Sequence, residues 1–224
     1  PLYSADSDAG QRVVVPYLRM LGISRVDMLM VTHRDSDHSG GTASVQSALV
    51  VGELRSSVQE LGGERCIAGQ RWVWDSVIFE VLHPAAEAYA VNLKSNHISC
   101  VLRVTAGGKR MLLTADIEAP DEADLLARYP NDLAADVLLV PHHGSKTSST
   151  AAFLTAVAAP AAIIPVGYRS RFGHPKAEVV ARYEALATAL WRTDRDGAVE
   201  VRLAASGIKL SAWRQVHRHY WFGR

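Results

Sequence analysis

Short apolar runs alternate along the chain with segments in which apolar residues recur every three to four positions. The runs are rich in Val, Ile and Leu and end at polar turns, which is typical of buried strands, whereas the wider spacing is typical of helices. Pro175 stands where a first helical turn favours proline. The alternation predicts a layered α/β fold. The predicted strands are residues 26–31, 72–82, 98–105, 110–114, 137–140, 163–166 and 198–203, and the predicted helices are residues 42–49, 122–129, 150–158 and 176–190.

Composition restricts the classes that this pattern can belong to. The chain has 224 residues, of which 48% are hydrophobic and 21% charged, which excludes disordered and fibrous proteins and predicts a single domain over residues 1–224. The formal net charge of +1 excludes an overall basic field, so a surface that binds phosphate has to be local. No segment reaches the roughly 18 to 20 consecutive apolar residues of a membrane-spanning helix.

The cysteines, one histidine and the two ends of the chain each suggest a structural role. Cys66 and Cys100 are too few for a disulfide framework, and Cys100 lies in an apolar run like a small core residue. His83 precedes a proline after a predicted strand and is expected to be structural. Residues 1–8 are predicted to be a loop, and we expect the chain to be part of a larger polypeptide. The basic, aromatic tail at residues 213–224 is predicted to be an exposed hairpin rather than a nucleic-acid contact.

The highest density of imidazole and carboxylate side chains follows the predicted strand 26–31. His33, Asp35, Asp37 and His38 place two imidazoles and two carboxylates within six residues, and two glycines follow them. Side chains at this density fit a loop that leaves a buried strand and turns into a helix. Without an ion, the charges of this cluster would be unfavourable in free energy because no partner would offset them. The pattern therefore favours a metal site over a structural cluster.

Two later loops carry further candidates at the ends of predicted strands. Asp116 ends one of these runs as a potential bridging carboxylate, and His142 and His143 directly follow the next. His174 precedes a predicted helix, where a capping or packing role and a role as a ligand are equally open. The candidates for holding phosphate oxygens are the polar and cationic residues of the same loops, Ser145, Lys146, Ser148 and Arg171.

In order along the chain, residues 32–41, 112–118, 141–145 and 173–175 resemble the motifs of the metallo-β-lactamase superfamily, specifically the C-terminal domain of ComEC-type competence proteins. The resemblance covers nearly the whole chain. It implies an αββα sandwich that lacks its N-terminal strands here. It also implies an inner-membrane protein whose polypeptide includes a DNA-uptake channel, with this domain on the periplasmic or extracellular side.

The resemblance further implies two divalent ions and no small organic cofactor. His33 and Asp35 would hold one ion, and Asp37 and His38 the second. Because the superfamily usually has histidine where Asp35 stands, a harder oxygen ligand shifts preference toward manganese or magnesium, and zinc stays open. Asp116 would bridge the two ions, and His142 would bind the second. Asp37 would act in catalysis, and His143 and His174 would lie in the next shell, where one of them would protonate the leaving group. His97 or Asn96 would be the ligand of the third motif.

The activity expected from this set is metal-dependent hydrolysis of phosphodiesters, with DNA as the partner. The resemblance implies a nuclease that degrades the strand not imported during natural transformation. Two alternatives stay open: a phosphodiesterase acting on small or lipid-derived esters, favoured by a small apolar pocket, and a non-catalytic module that guides DNA.

Overall fold

The computed structural model describes residues 1–4 and 7–217, so residues 218–224 of the predicted tail hairpin lie outside the described residues. The described chain groups into two compact units. Unit one holds residues 1–68 and 83–100, and unit two holds residues 69–82 and those from 101 onward. The single domain over residues 1–224 stays a prediction. None of the helices in the described part is long and apolar enough to cross a membrane.

Unit one is built on a parallel three-stranded sheet of order β3-β4-β5. Its first residues correct the prediction of a loop, because Leu2 pairs with Asp8 in an antiparallel ladder. The fourth strand was not predicted, since Gly52, Glu53 and Arg55 interrupt its apolar pattern. The elements are β1 (Leu2–Ser4), β2 (Ser7–Asp8), a π-helical segment (Gly10–Val14), α1 (Val15–Met20), β3 (Arg25–Val31), α2 (Ser36–Ser39), α3 (Thr42–Ala48), β4 (Val50–Ser56), β5 (Glu64–Arg65) and 3₁₀ turns at Gln59–Leu61, Ala86–Ala90 and Ser95–Ile98.

The glycine pair after the first ligand loop serves close packing. Gly40 and Gly41 have φ values of −64° and −101°, which other residues adopt as well. A Cβ on Gly41 would lie 2.6 Å from the backbone nitrogen of Gly10. Gly41 therefore allows the start of α3 to approach the π-helical segment closely. Behind it, Val15, Val45 and Leu49 form a small buried core.

The two cysteines form a disulfide, which was not predicted from the sequence. The Cα atoms of Cys66 and Cys100 are 5.8 Å apart, and the bridge closes a sequence separation of 34 residues. Both residues are buried, as predicted for Cys100. The pairing escaped sequence reasoning because it depends on how unit one folds and not on spacing.

Unit two contains a mixed seven-stranded sheet of order β12-β11-β10-β9-β8-β7-β6. Strands β9 to β12 are parallel, so the loops that follow β9, β10 and β11 leave from the same edge of the sheet. The elements are β6 (Arg71–Trp74), β7 (Val77–His83), β8 (Val101–Ala106), β9 (Lys109–Leu113), α4 (Ala119–Arg128), β10 (Val137–Leu139), a 3₁₀ turn (Pro141–Gly144), α5 (Ala151–Val157), β11 (Ala161–Ile164), α6 (Ala177–Ala185), β12 (Ala189–Arg192), α7 (Thr193–Asp196), β13 (Val199–Ala204), β14 (Gly207–Ala212) and α8 (Trp213–Val216).

Two predicted elements of unit two, the strand 72–82 and the helix 176–190, differ from the observed ones. The run 72–82 is a hairpin of two strands, because Asp75 and Ser76 take positive φ values of 47° and 67° and reverse the chain. The helix predicted over 176–190 ends at Ala185, and residues 189–192 pair with β11 instead. Pro175 precedes the N-cap residue Lys176, so it lies outside the helix.

Local signals explain the helices that hold the core. A capping box formed by Glu118 and Asp121 starts α4, and Thr150 caps α5 by accepting a hydrogen bond from the backbone nitrogen of Phe153. Apolar side chains from the sheet pack with those of α4, α5 and α6 in one buried cluster. Its fully buried members include Phe153 and Tyr183. This packing gives the loops at the sheet edge a rigid base.

Candidate metal centre

The loop after β3 gathers its four predicted ligands within unit one. The rings of His33 and His38 lie 4.0 Å apart. Nε2 of His33 is 3.9 Å from Oδ2 of Asp35, and Nε2 of His38 is 3.9 Å from Oδ2 of Asp37. Each imidazole therefore has a carboxylate near the nitrogen that could bind a metal.

Thr32 orients both imidazoles, and sequence reasoning missed it. Its hydroxyl lies 3.2 Å from Nδ1 of His33 and 3.3 Å from Nδ1 of His38. A ring whose Nδ1 donates to this hydroxyl keeps Nε2 as the basic nitrogen that a metal ligand requires, whereas a ring whose Nδ1 accepts from it carries its proton on Nε2. The Thr32 carbonyl accepts hydrogen bonds from Ser57 Oγ at 2.7 Å and from the Cys100 backbone nitrogen at 2.9 Å. The loop is thus tied to the disulfide.

The exposure of Asp35 and Asp37 weakens the argument that this cluster needs an ion to offset its charge. His33 is fully buried, but the side chains of Asp35 and Asp37 are 48% and 44% exposed. Water screens the two carboxylates, so their charge carries little desolvation cost without an ion. The case for a metal at this loop rests on the convergence of donor atoms instead.

The second set of candidate ligands lies in unit two, at the shared edge of the parallel strands. Asp116 is buried, and its Oδ2 lies 3.4 Å from Nε2 of His143 and 3.9 Å from Nε2 of His142. The distances place both histidines as potential ligands. The resemblance assigned His143 to the next shell, whereas here it is the nearer of the two to Asp116.

Hydrogen bonds on the far side of each ring hold these imidazoles. Nδ1 of His143 donates to the Pro165 carbonyl at 2.6 Å, and Nδ1 of His142 lies 3.2 Å from Oε1 of Glu118. A histidine whose Nδ1 donates in this way presents Nε2 as the basic nitrogen, as metal ligands require. Pro165 lies outside the four motifs, and Glu118 lies in one of them but was assigned no role; both position these imidazoles.

The backbone of this loop is in a costly conformation. His142, His143 and Gly144 all have positive φ values, of 48°, 54° and 78°. Non-glycine residues in this region cost free energy and cluster at functional sites. A Cβ on Gly144 would lie 2.6 Å from Cβ of Pro175, so this position also requires glycine. The Ser148 hydroxyl closes the loop by donating to the Pro141 carbonyl at 2.9 Å.

A buried polar clamp supports the loop from behind. Glu122 in α4 is fully buried, and its carboxylate accepts hydrogen bonds from the backbone nitrogens of Ser149 and Thr150. Burial raises the pKa of the Glu122 carboxyl, against the opposing effect of these hydrogen bonds. Arg182 donates to the carbonyl of Ser149 at 3.0 Å, and the Tyr183 hydroxyl lies 3.0 Å from the Ser149 hydroxyl. Sequence reasoning missed the clamp, although an acidic residue on a buried helix face was a usable signal.

His174 follows β11 in the third loop at this edge. Its ring lies 6.0 Å from that of His142. Burial lowers the pKa of the His174 imidazole, and the neighbouring His142 and Lys176 lower it further. Its Nδ1 is buried and has no hydrogen-bond partner within the described part of the chain. The lowered pKa favours the neutral form of the His174 ring, which a ligand or a base requires.

The predicted phosphate-binding residues differ in their exposure. Lys146 and Arg171 are exposed, and Arg171 lies 4.7 Å from the centroid of the Phe172 ring. The Ser145 hydroxyl contacts that of Thr147 at 3.0 Å. Ser148 is buried and closes the loop, so a substrate contact there has no support.

Two histidines of unit one stand apart from the ligand loop. His83 is buried, and its Nδ1 bonds the Ser99 carbonyl at 2.8 Å, which confirms the structural role predicted for it. His97 and Asn96 are half-buried in the turn Ser95–Ile98. Their role as ligands of the third motif stays a prediction.

Residues 1–168 match the family model of the metallo-beta-lactamase superfamily. The chain belongs to this superfamily. It is similar to "Competence protein ComA" of Neisseria gonorrhoeae, with 39% identity over 95% of this chain and 30% of that protein. It is also similar to "ComE operon protein 3" of Bacillus subtilis, with 30% identity over 86% of this chain and 26% of that protein. The chain thus spans less than a third of the length of these curated relatives.

Solved structures support the metallo-beta-lactamase fold, as predicted. A protein of Parabacteroides distasonis provisionally named metal-dependent hydrolase has a TM-score of 0.50 and 14% identity, and the match covers 77% of this chain and 78% of that one. The CmlA beta-hydroxylase also has a TM-score of 0.50, with 11% identity over 75% of this chain and 43% of that one. At these identities the likeness concerns the fold alone.

The donor set fits the divalent metals that metallo-beta-lactamase proteins typically bind. Imidazole nitrogens suit zinc, copper, iron and nickel, whereas carboxylates suit magnesium, calcium and manganese. In unit two, the buried carboxylate of Asp116 lies near Nε2 of His142 and of His143, and the Nδ1 atom of each ring contacts another group of the protein. Histidine ligands of metal ions are typically held by such a contact at the other ring nitrogen. In unit one, Asp35 and Asp37 add oxygen donors. These carboxylates and imidazoles can bind a metal ion, and those that do not bind it can exchange protons with nearby water.

Proposed function

We propose that this chain is a metal-dependent phosphodiester hydrolase, and more narrowly a nuclease that degrades the DNA strand not imported during natural transformation. The observation that carries the proposal is the convergence of Nε2 of His142 and His143 on the buried carboxylate of Asp116. Similarity to a relative named as a competence protein supports DNA as the substrate.

We propose that both ligand loops serve two divalent ions, of manganese or zinc, with magnesium as a third option. The residues that would hold them are His33, Asp35, Asp37, His38, Asp116, His142 and His143. When bound, divalent ions supply Lewis acidity toward water and toward a phosphoryl oxygen. The oxygen ligand Asp35 in place of histidine supports a harder ion.

The remaining polar groups would bind and orient the substrate. Lys146 and Arg171 are exposed cations on loops that leave the same sheet edge, so they would hold the non-bridging oxygens of a phosphodiester. His174, neutral and with a buried Nδ1, would exchange the proton that water loses and the leaving oxygen gains. Asp37, half-exposed beside His38, would orient the attacking water.

The cellular setting is part of the same proposal. We infer an inner-membrane protein in which a channel belongs to the same polypeptide and this region faces the periplasm or the outside. The Cys66–Cys100 disulfide supports that side, because such bonds persist in oxidising compartments and are rare in the cytosol. The greater length of the relatives leaves room for a channel.

The test is cleavage of single- and double-stranded DNA with manganese, magnesium or zinc added in turn. A variant with Asp37→Ala and His38→Ala together is expected to lose activity by about a hundredfold or more, because it removes two ligands. Asp27→Ala, an exposed carboxylate on β3, is the control and should cleave like the unaltered protein. Unchanged cleavage by the double variant would overturn the proposal.

The same preparation separates the alternatives. Hydrolysis of bis(p-nitrophenyl) phosphate without cleavage of DNA would favour a phosphodiesterase for small esters. Fewer than one tightly bound ion per chain, together with DNA binding that survives chelation, would favour a module that guides DNA.

A further inference from the structure

Unit one contains a cavity of about 200 Å³ directly beside its ligand loop. Arg34, which lies between His33 and Asp35 in the chain, lines the cavity. The backbone nitrogen of Arg34 donates to Oγ of Ser95 at 2.9 Å, and Ser95 lines the cavity as well. The ligand loop and the cavity wall are thus joined by a direct hydrogen bond.

The cavity is lined by apolar side chains and by amide groups. Tyr89, Leu93 and Ile98 supply aromatic and aliphatic surface, and Gln59 and Asn92 supply carboxamides. A carboxamide offers both donors and an acceptor. Pockets for drug-sized ligands measure roughly 300–1,000 Å³, so this one suits a single ring system and not a peptide or a helix.

The aromatic wall is held in place. The Tyr89 hydroxyl donates to the carbonyl of Cys66 at 2.8 Å, and Cys66 is itself in the disulfide. Burial raises the pKa of Tyr89 to about 12, so the phenol stays neutral and keeps this hydrogen bond at physiological pH. The guanidinium of Arg65 lies 4.9 Å from the Tyr89 ring centroid. A rigid aromatic face costs little entropy when a flat ligand packs on it.

We propose that this cavity binds one nucleobase of the DNA strand, that of a nucleotide next to the phosphate being cleaved. The inference rests on the proposed nuclease function and identifies where that substrate would be gripped. Base edges present the donors and acceptors that carboxamides pair with, and base faces pack on apolar and aromatic surface. Arg34 is 65% exposed, and its ion pair with Glu60 is a weak surface pair, so its guanidinium is available to the adjoining phosphate.

The experiment measures binding of deoxynucleoside 5′-monophosphates to the full chain by calorimetry, and of deoxyribose 5-phosphate as the probe without a base. Gln59→Ala and Asn92→Ala each remove one carboxamide and are expected to weaken nucleotide binding about fivefold. Leu93→Trp fills the cavity and should abolish it. Gln46→Ala, an exposed carboxamide on α3, is the matched control and should bind like the unaltered chain. Thermal unfolding of each variant verifies folding.

The outcomes separate this inference from the proposed function. Nucleotide binding that falls in the cavity variants and not in Gln46→Ala supports it, whether or not DNA is cleaved. Equal binding of deoxyribose 5-phosphate would overturn it, since only the phosphate would be recognised. Cleavage of DNA with no effect of the three cavity variants on nucleotide binding or on KM would also overturn it while leaving the nuclease intact.

Discussion

The carboxylate of Glu122 accepts a hydrogen bond from the backbone nitrogen of Thr150 at 2.8 Å, from a position in α4 that is fully buried. A second bond from Ser149 makes the same carboxylate a support for the end of the loop that carries His142 and His143. The histidines of this loop are in left-handed conformations, so the free energy that holds them has to come from such contacts.

Removal of this support is expected to destabilise the protein. Glu122→Ala leaves the buried backbone nitrogen of Ser149 and the part-buried one of Thr150 without acceptors, and we expect a loss of about 3 kcal/mol in the free energy of unfolding. Glu122→Gln keeps one acceptor and should lose less. Urea unfolding at pH 7 measures both, with Glu178→Ala, an exposed acid on α6, as the control. A stability of Glu122→Ala equal to that of the control would contradict the supporting role.

Asp35 should set the metal preference of the loop in unit one. Asp35→His replaces a hard oxygen by an imidazole nitrogen, so zinc affinity should rise relative to manganese by on the order of tenfold. Competitive metal titration followed by elemental analysis measures the ratio. Asp27→His adds an exposed imidazole elsewhere in the same unit and should leave the ratio unchanged. An unchanged ratio for Asp35→His would mean that Asp35 does not bind the ion.

The disulfide should stabilise unit one and its ligand loop together. Its loop of 34 residues predicts a loss of about 3–4 kcal/mol in Cys66→Ala/Cys100→Ala. Because the Cys100 nitrogen donates to the Thr32 carbonyl, metal affinity should fall as well. Thermal unfolding with and without dithiothreitol measures the first effect, and the double variant, which has no bond to reduce, is the control. A reductant that leaves the unaltered chain unchanged would argue against the bridge.

Asp8 should give stability with a defined pH dependence. The hydrogen bond from Ser44 Oγ at 2.6 Å, and then that from the Gln11 backbone nitrogen, hold the pKa of the Asp8 carboxyl below its usual value. A depressed folded pKa gives stability that is present above the unfolded pKa of about 3.9 and lost as the pH falls through the folded value. Ser44→Ala should therefore be less stable than the unaltered chain at pH 6, and the difference should narrow below about pH 4.

Urea unfolding between pH 6 and pH 3 checks this dependence. Ser47→Ala, on the same helix, removes a hydroxyl that is not bonded to Asp8 and serves as the control. A difference between Ser44→Ala and the unaltered chain that stays constant over the range would rule out the Asp8 hydrogen bond as its source.

The sequence by itself determined the elements whose signals are local. The apolar run of β3, the helical spacing of α4 and α5 and the closely spaced ligands from His33 to His38 could be predicted because each depends on neighbours in the chain. For the same reason the motif order identified the superfamily, which the family match confirmed.

Tertiary structure decided the rest, because those features depend on partners distant in sequence. β4 and β12 exist through pairing with β3 and β11, and the Cys66–Cys100 bridge through the fold of unit one. Thr32, Glu118 and Glu122 position ligands or their loop by hydrogen bonds that no motif records. Local pattern specifies which side chains are available, whereas the direction of an imidazole nitrogen and the burial of a carboxylate are set only when the chain has packed.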